Sequence, residues 1–366
     1  MRHVYLAATG QNRGKTTVSL GVLDGFQRRG LSTSFLKPVG QRTIIEDGVP
    51  ADEDAVLMKQ VFGLREPLRQ MSPVHIPRGF TQAYIEGEVV EDLPARILAA
   101  HAAFADRDIL LIEGTGHAGV GAVIGLSNAT VAGMLGAPAV IVSEGGVGRP
   151  IDEIVLNASL FERYGVTVAG AIVNKVDLDA KPGLARTLER GLARHGIPLL
   201  GVLPYRPILS NPTLAMVVEG LHGETIHAGP DLDQVIGGIA IGAMEPEHML
   251  ERIGRRSLVI VPGDRIDVIG ALVTARTDDA GDADRALGIV LSGGYRPAPA
   301  ILDAIRQADL FAMIVAEDTY VVASELHDLL VKTHPADAGK IAEIKALLWE
   351  YLFIDRVLEV ARDARF

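Results

Sequence analysis

The 366-residue chain contains no cysteine. That excludes disulfides, a thiolate nucleophile and Cys-ligated zinc, and it fits a reducing, cytoplasmic setting. Basic residues are in deficit: 35 Lys and Arg face 46 Asp and Glu, for a net charge of −11. A broad nucleic-acid surface needs clustered positive charge, so no nucleic-acid partner is expected. No apolar run approaches the roughly 18 residues of a membrane span, so no membrane partner is expected either. The N-terminus runs from Met1 straight into His3-Val4-Tyr5-Leu6-Ala7-Ala8 without a signal-peptide pattern. Internal repeats and low-complexity segments are also lacking.

What is present is an ordinary globular composition, 48% hydrophobic and 22% charged. The length suggests two domains. Over residues 1–205, short apolar runs alternate with helical patterns. Strands are predicted at Val4–Ala8, Ser32–Leu36, Ile109–Ile112, Ala139–Val142, Val168–Val173 and Leu199–Leu203. Helices between them include Gly14–Arg29, Asp54–Phe62, Asp152–Arg163 and Lys181–Arg194. This rhythm predicts an α/β fold with a mostly parallel sheet covered on both faces, its ligands beyond the carboxyl ends of the strands. Pro204-Tyr205-Arg206-Pro207 breaks the rhythm. Residues 206–222 read as a linker, with a short helix near Pro212–Glu219. Residues 223–366 read as a second, smaller α/β domain. Its strands fall near Ile236–Ile241, Ser257–Val261, Gly288–Leu291 and Ala312–Val315, one helix spans Tyr320–Leu330, and a long terminal helix spans Ala336–Leu358.

The decisive segment is Thr9-Gly10-Gln11-Asn12-Arg13-Gly14-Lys15-Thr16-Thr17, between the first strand and the first helix. In that context main-chain N–H groups and a helix N-terminus face phosphates, as in a P-loop. Gly10, Gln11, Asn12, Arg13, Gly14, Lys15, Thr16 and Thr17 are therefore the expected nucleotide-binding residues. Lys15 would reach the β and γ oxygens, and the Thr16 hydroxyl would ligate magnesium. Thr9 stands where the first glycine of the usual pattern is found, and Gly10 follows it. Three further features converge. Lys37, in Leu36-Lys37-Pro38-Val39, emerges from the second strand at the same sheet edge. Asp54 opens a helix, where a carboxylate also suits the dipole. Glu113 ends a buried strand before Gly114-Thr115-Gly116, as a Walker-B-like acid does. Asn174-Lys175-Val176-Asp177 matches a guanine-reading tetrapeptide, a weak signal that leaves adenine and guanine open. His75 and Arg78 lie in a shaped loop that could cover a substrate, and His117 sits in the glycine-rich stretch after Glu113; ordinary surface roles are the alternative for each. His222, His227 and His248 lack metal-ligand spacing and read as structural.

With these residues assembled, residues 1–205 resemble the dethiobiotin synthetase family of P-loop enzymes. They look closer still to the N-terminal module of long bacterial phosphate acetyltransferases and to the synthetase domain of cobyrinic acid a,c-diamide synthases. The pieces that carry this are Thr9-Gly10 with Gly14-Lys15-Thr16, Lys37-Pro38-Val39, Asp54-Ala55, Ser72-Pro73, Glu113-Gly114-Thr115-Gly116 and Val173-Asn174-Lys175. The resemblance implies ATP and Mg2+ as cofactors, with Thr16, Asp54 and Glu113 as metal ligands. It implies that Lys37 touches substrate and phosphate and that Asn174 contacts adenine. Lys15, Lys37 and Glu113 are then the catalytic candidates. A homodimer is expected on the same ground. The second half resembles a DRTGG domain through Pro262-Gly263-Asp264-Arg265-Ile266-Asp267 and Gly288-Ile289-Val290-Leu291-Ser292-Gly293-Gly294. The eponymous pentapeptide is not kept.

Departures narrow the expectation. The loop after Glu113 differs from that of dethiobiotin synthetases, so the biotin-pathway substrate is in doubt. The chain ends before a phosphate acetyltransferase catalytic domain, so acetyl transfer is not expected. Without cysteine, glutamine-fed amidation within one chain is excluded. The expected function is Mg-dependent ATP hydrolysis or ligase-like phosphoryl transfer to a small carboxylate or carbamate, with a regulatory DRTGG-like domain. The alternative is a non-catalytic nucleotide sensor acting on a metabolic partner enzyme.

Overall fold

The computed structural model describes residues 1–178, 183–277, 286–329 and 333–363. The predicted helix start at Lys181 and the helix end at Leu330 lie outside the described residues. The chain forms two compact units: Met1–Tyr205 with Thr333–Phe366, and Arg206–Lys332.

The first unit is built on a sheet whose strands lie in the order Leu199–Pro204, Val168–Val176, Ala139–Glu144, Arg2–Ala8, Ile109–Glu113, Thr33–Leu36. Each adjacent pair is parallel. Strands covered on both faces must be apolar throughout, and Ile109–Glu113 is buried at every position. The registers Leu6 to Glu113, Leu36 to Ile112, Ala8 to Val142, Glu144 to Asn174 and Pro204 to Val176 bring the carboxyl ends of all these strands to one edge. A hairpin, Thr43–Glu46 with Val49–Asp52, precedes the helix Glu53–Phe62. Among the described residues, no helix is long and apolar enough to cross a membrane.

The second unit has a five-stranded sheet in the order Glu224–His227, Phe311–Ile314, Ala286–Ser292, Ser257–Pro262, Gly238–Ile241. Only the first of these strands is antiparallel to its neighbour. Gly263 is obligatory here, because a Cβ would lie 1.8 Å from the Tyr295 carbonyl oxygen. Arg265 clamps Asp267 through two bonds of 2.9 and 2.8 Å. His227 pairs with Asp309 at 2.8 Å.

Two sequence expectations need correction. The linker is shorter than 206–222, because Leu214, Val217 and Leu221 of the helix Leu214–Leu221 are buried in the core of the second unit. Their i, i+3, i+7 spacing is that of one helix face. The terminal helix is two helices, Ala338–Tyr351 and Ile354–Val360, and both belong to the first unit rather than the second. The Phe353 amide donates to the Leu200 carbonyl at 2.9 Å, which takes the chain out of helix between them. Arg362 and Asp363 then pair antiparallel with His3 and Arg2.

The first helix, Lys15–Arg28, receives these C-terminal elements on its glycines. A Cβ at Gly21 would lie 2.1 Å from Leu348 Cγ, and one at Gly25 would lie 2.7 Å from Ile354 Cγ1. Gly21→Ala would gain about 1 kcal/mol of helix propensity. The clash is with a buried branched side chain, and overpacking costs about 1–3 kcal/mol. We expect net destabilisation in urea melts, with hydrogen exchange rising over 338–351; a stabilised variant would contradict this packing.

His3 and His101 are both buried, with His3 Nδ1 and His101 Nε2 3.0 Å apart. Burial, then the neighbouring His3, lowers His101 to about 4. The unfolded chain therefore takes up a proton between pH 6.5 and 4 that the native chain does not. The stabilisation is complete above pH 6.5 and falls as pH drops towards 4, by about 3 kcal/mol over that range. Stability measured from pH 7 to 4 should lose this slope in His101→Gln; an identical slope in both proteins would exclude His101 as its source.

Candidate functional site

The edge formed by the strand ends carries the P-loop. Gly14 lies in the left-handed region at φ 88° immediately before helix Lys15–Arg28. A Cβ there would lie 2.1 Å from Asn174 Nδ2, so glycine is required on two counts. Asn174, buried at the end of its strand, donates from Nδ2 to the Arg13 carbonyl at 3.2 Å. Lys175 donates to the Asn12 carbonyl at 2.8 Å and pairs with Glu144 at 3.0 Å. Asn12 is itself left-handed at φ 57°. The Asn174-Lys175 pair thus braces the main chain of the loop. Among the described residues no side chain caps the first helix, whose first N–H groups face the loop. Thr9 donates to Glu153 at 2.9 Å and lies 3.1 Å from the Ser143 hydroxyl. Arg13 pairs with Glu144, with Glu153 at 3.7 Å. A Cβ at Gly10 would meet Arg13 Nε at 3.2 Å. Gln11 is exposed, and Thr17 is half-buried in the first helical turn.

Beside the loop, four residues predicted from separate segments meet. Lys37 Nζ donates to Asp54 Oδ2 at 2.5 Å, to Glu113 Oε1 at 2.9 Å and to the Gly114 carbonyl at 3.4 Å. Thr16 donates to Asp54 Oδ1 at 3.0 Å. Ser19, one turn after Lys15, donates to Glu113 Oε2 at 2.5 Å. The Lys37 side chain is 4% exposed and that of Glu113 1%. Burial and the Asp54 carboxylate push Glu113 up to about 7, against the pull of Lys37. Burial also acts to raise Asp54, but Lys37 and the Thr16 hydroxyl outweigh it and leave Asp54 at about 2. Burial disfavours the Lys37 ammonium, yet Asp54 and Glu113 hold it well above the ordinary lysine range. Lys15 is half-buried, and burial followed by the Lys37 charge brings it down to about 8.

Asp52 caps the helix Glu53–Phe62 through the Asp54 amide and accepts from the Gln41 amide at 3.1 Å. It fixes where Asp54 emerges. Among the described residues no three His, Cys, Asp or Glu side chains gather at a metal-sized spacing. Thr16, Asp54 and Glu113 supply two carboxylates and a hydroxyl, hard oxygen donors of the kind magnesium accepts.

The glycine-rich loop after Glu113 is held by Asn128. Its Oδ1 accepts from Tyr5 at 2.8 Å and from the Thr115 amide at 3.0 Å; its Nδ2 donates to the Thr115 and His117 carbonyls, both at 2.7 Å. Thr115 also donates to the Val39 carbonyl at 2.7 Å. A cavity of about 50 Å3 opens here, lined by aliphatic side chains such as Val39, Ile76 and Ile124, with Gln41, Thr81 and Thr115 as polar members. His75, Arg78 and His117 do not line it; Arg78 and His117 are exposed. Sequence reasoning missed Ser19, Asn128 and Glu153. Each touches the site across a long stretch of chain, and none carries a motif.

Comparison with known proteins follows the same division. Residues 2–213 match the AAA domain model, and residues 216–329 match the DRTGG domain model. Phosphate acetyltransferase of Synechocystis sp. is 24% identical over 372 residues, covering 99% of this chain and 52% of the relative. Phosphate acetyltransferase of Pseudomonas putida is 28% identical over 348 residues, covering 90% and 47%. The chain thus spans about half the length of the curated relatives it matches. Among solved structures, MinD cell division protein of Aquifex aeolicus is 13% identical, covers 57% of this chain and 84% of its own, and aligns with a TM-score of 0.35. The resemblance drawn from the motifs, to the N-terminal region of phosphate acetyltransferases, agrees with these matches. The chain belongs to the AAA domain family, as a P-loop NTPase-like domain followed by a DRTGG domain.

Proposed function

We propose that the first unit binds ATP with Mg2+ and either hydrolyses it or transfers its γ-phosphoryl group to a small carboxylate or carbamate. One observation carries the reading: the P-loop and the Lys37–Asp54–Glu113 cluster share one sheet edge, with Thr16, in the first turn of the helix that follows the loop, bonded to Asp54 of the cluster. The amides of Gly10 to Gly14 and the opening of the first helix would receive the phosphates. Lys15, at the head of that helix, would neutralise the β and γ oxygens. Thr16, Asp54 and Glu113 would hold the ion, which supplies charge compensation for the moving phosphoryl group when bound. Asn174 would meet the purine edge. The apolar cavity beside Val39 and Thr115 would orient an acceptor and keep water from it. We include in this reading a homodimer and a DRTGG domain that acts on a metabolic partner.

Lys15→Ala should weaken ATP binding by roughly 100-fold, the consequence of removing one partner of a close charge pair. Calorimetry that finds wild-type affinity would remove Lys15 from the phosphate site. Glu113→Gln should lower Mg-dependent ADP release by about 100-fold or more, a larger loss than it causes in ATP binding. An unchanged rate would exclude Glu113 from the metal. Tight Mg-dependent binding with no turnover by the wild type, alone or with small carboxylates, would assign the sensor instead.

A further inference from the structure

The cluster at the sheet edge has an unusual charge arrangement: an ammonium lies between the carboxylates proposed to hold a divalent cation. All three donor directions of Lys37 Nζ are taken, by Asp54 Oδ2, Glu113 Oε1 and the Gly114 carbonyl. The outer oxygens are engaged as well, Asp54 Oδ1 by Thr16 and Glu113 Oε2 by Ser19. Every oxygen of the two carboxylates thus has a partner, and the two share one internal cation. A divalent ion arriving with the ammonium in place would meet like charge at contact distance in a buried setting, where repulsion is poorly screened.

We propose that Lys37 is the resident counter-cation of the Asp54–Glu113 pair, and that a divalent ion binds there only as this ammonium leaves. The inference rests on the reading of Thr16, Asp54 and Glu113 as the metal ligands. The backbone of Lys37 is fixed, since its amide donates to the Met71 carbonyl at 2.7 Å and Pro38 follows it. The exchange is therefore a swing of the side chain alone. Lys15 is close enough to Lys37 for each ammonium to disfavour the other. An anion at the P-loop relieves that repulsion and gives the displaced ammonium a partner. Metal and polyphosphate then bind with positive coupling, and by linkage each strengthens the other equally. Lys37 acts here as a positioning residue: its departure from the carboxylates is what delivers its charge towards the phosphates.

The test uses Mn2+ as the probe, read by electron paramagnetic resonance or calorimetry, without nucleotide. Lys37→Met keeps most of the length of the side chain and leaves Asp54 and Glu113 without their cation. It should bind Mn2+ at least about tenfold more tightly than the wild type, and Lys37→Met with Glu113→Gln should lose that gain. A folded Lys37→Met with no gain, while the wild type still binds Mn2+ in the presence of ATP, overturns this inference and leaves the proposed function standing. A wild type that takes up no Mn2+ even with ATP overturns the underlying reading as well. A second measurement needs no variant at this position. In protein labelled with nitrogen-15 at lysine, a buried ammonium signal should be present in EDTA. It should shift or broaden when Mg2+ and a non-hydrolysable ATP analogue are added together. A buried signal that stays fixed while the complex saturates overturns the inference independently of how Lys37→Met folds.

Discussion

The bond network around the Lys37 ammonium is the constraint on which the rest of the first unit depends. Lys37 and Glu113 have been taken almost wholly out of water and Asp54 largely so, and each charge would be costly there alone. Removing one partner of such a set leaves an uncompensated charge in the interior. The three residues come from a strand end, a helix start and a second strand end, so the cluster fixes three segments at once. Parallel pairing sets Leu36 opposite Ile112, so that Lys37 and Glu113 finish side by side. Asp52 sets the helix that carries Asp54, and the hairpin before it sets Asp52.

The loop opposite is governed by main-chain geometry instead. Two left-handed residues, Asn12 and Gly14, turn the chain so that its carbonyls point to Asn174 and Lys175. Its amides and the helix opening are left for a different partner. Glu144 and Glu153 hold Arg13 and Thr9 to the flank. The site thus has one face of fixed side-chain charge and one of oriented peptide dipoles, and the two meet at Thr16.

Much of this was legible in the sequence, for a physical reason. Strands covered on both faces must be continuous apolar runs, so Ile109–Glu113 and Ala139–Glu144 announce themselves, and a glycine-rich turn before Lys-Thr has few other uses. Lys37 and Glu113 are predictable because each directly ends or follows such a run. The hairpin Thr43–Asp52 carries a turn signal in Asp47-Gly48, both at positive φ, but Pro50 in its second strand conceals it. The break between Tyr351 and Ile354 has no proline or glycine to mark it, because it is imposed by a strand far away in sequence. Ser19 and Glu153 were illegible for a similar reason. A serine or glutamate on a helix gives no sign of what it will meet a hundred residues on.

The return of residues 333–363 to the first unit has a consequence for how the polypeptide matures. The ribosome must finish the intervening unit before the segment that covers Gly21 and Gly25 exists. Until then the first helix offers an apolar flank and Arg2-His3 lacks its antiparallel partner, the sort of transient exposure that invites chaperones. A fragment trimmed at Tyr205, the boundary that motif reading suggests, would keep the P-loop and the Lys37 cluster yet make that unfinished state permanent.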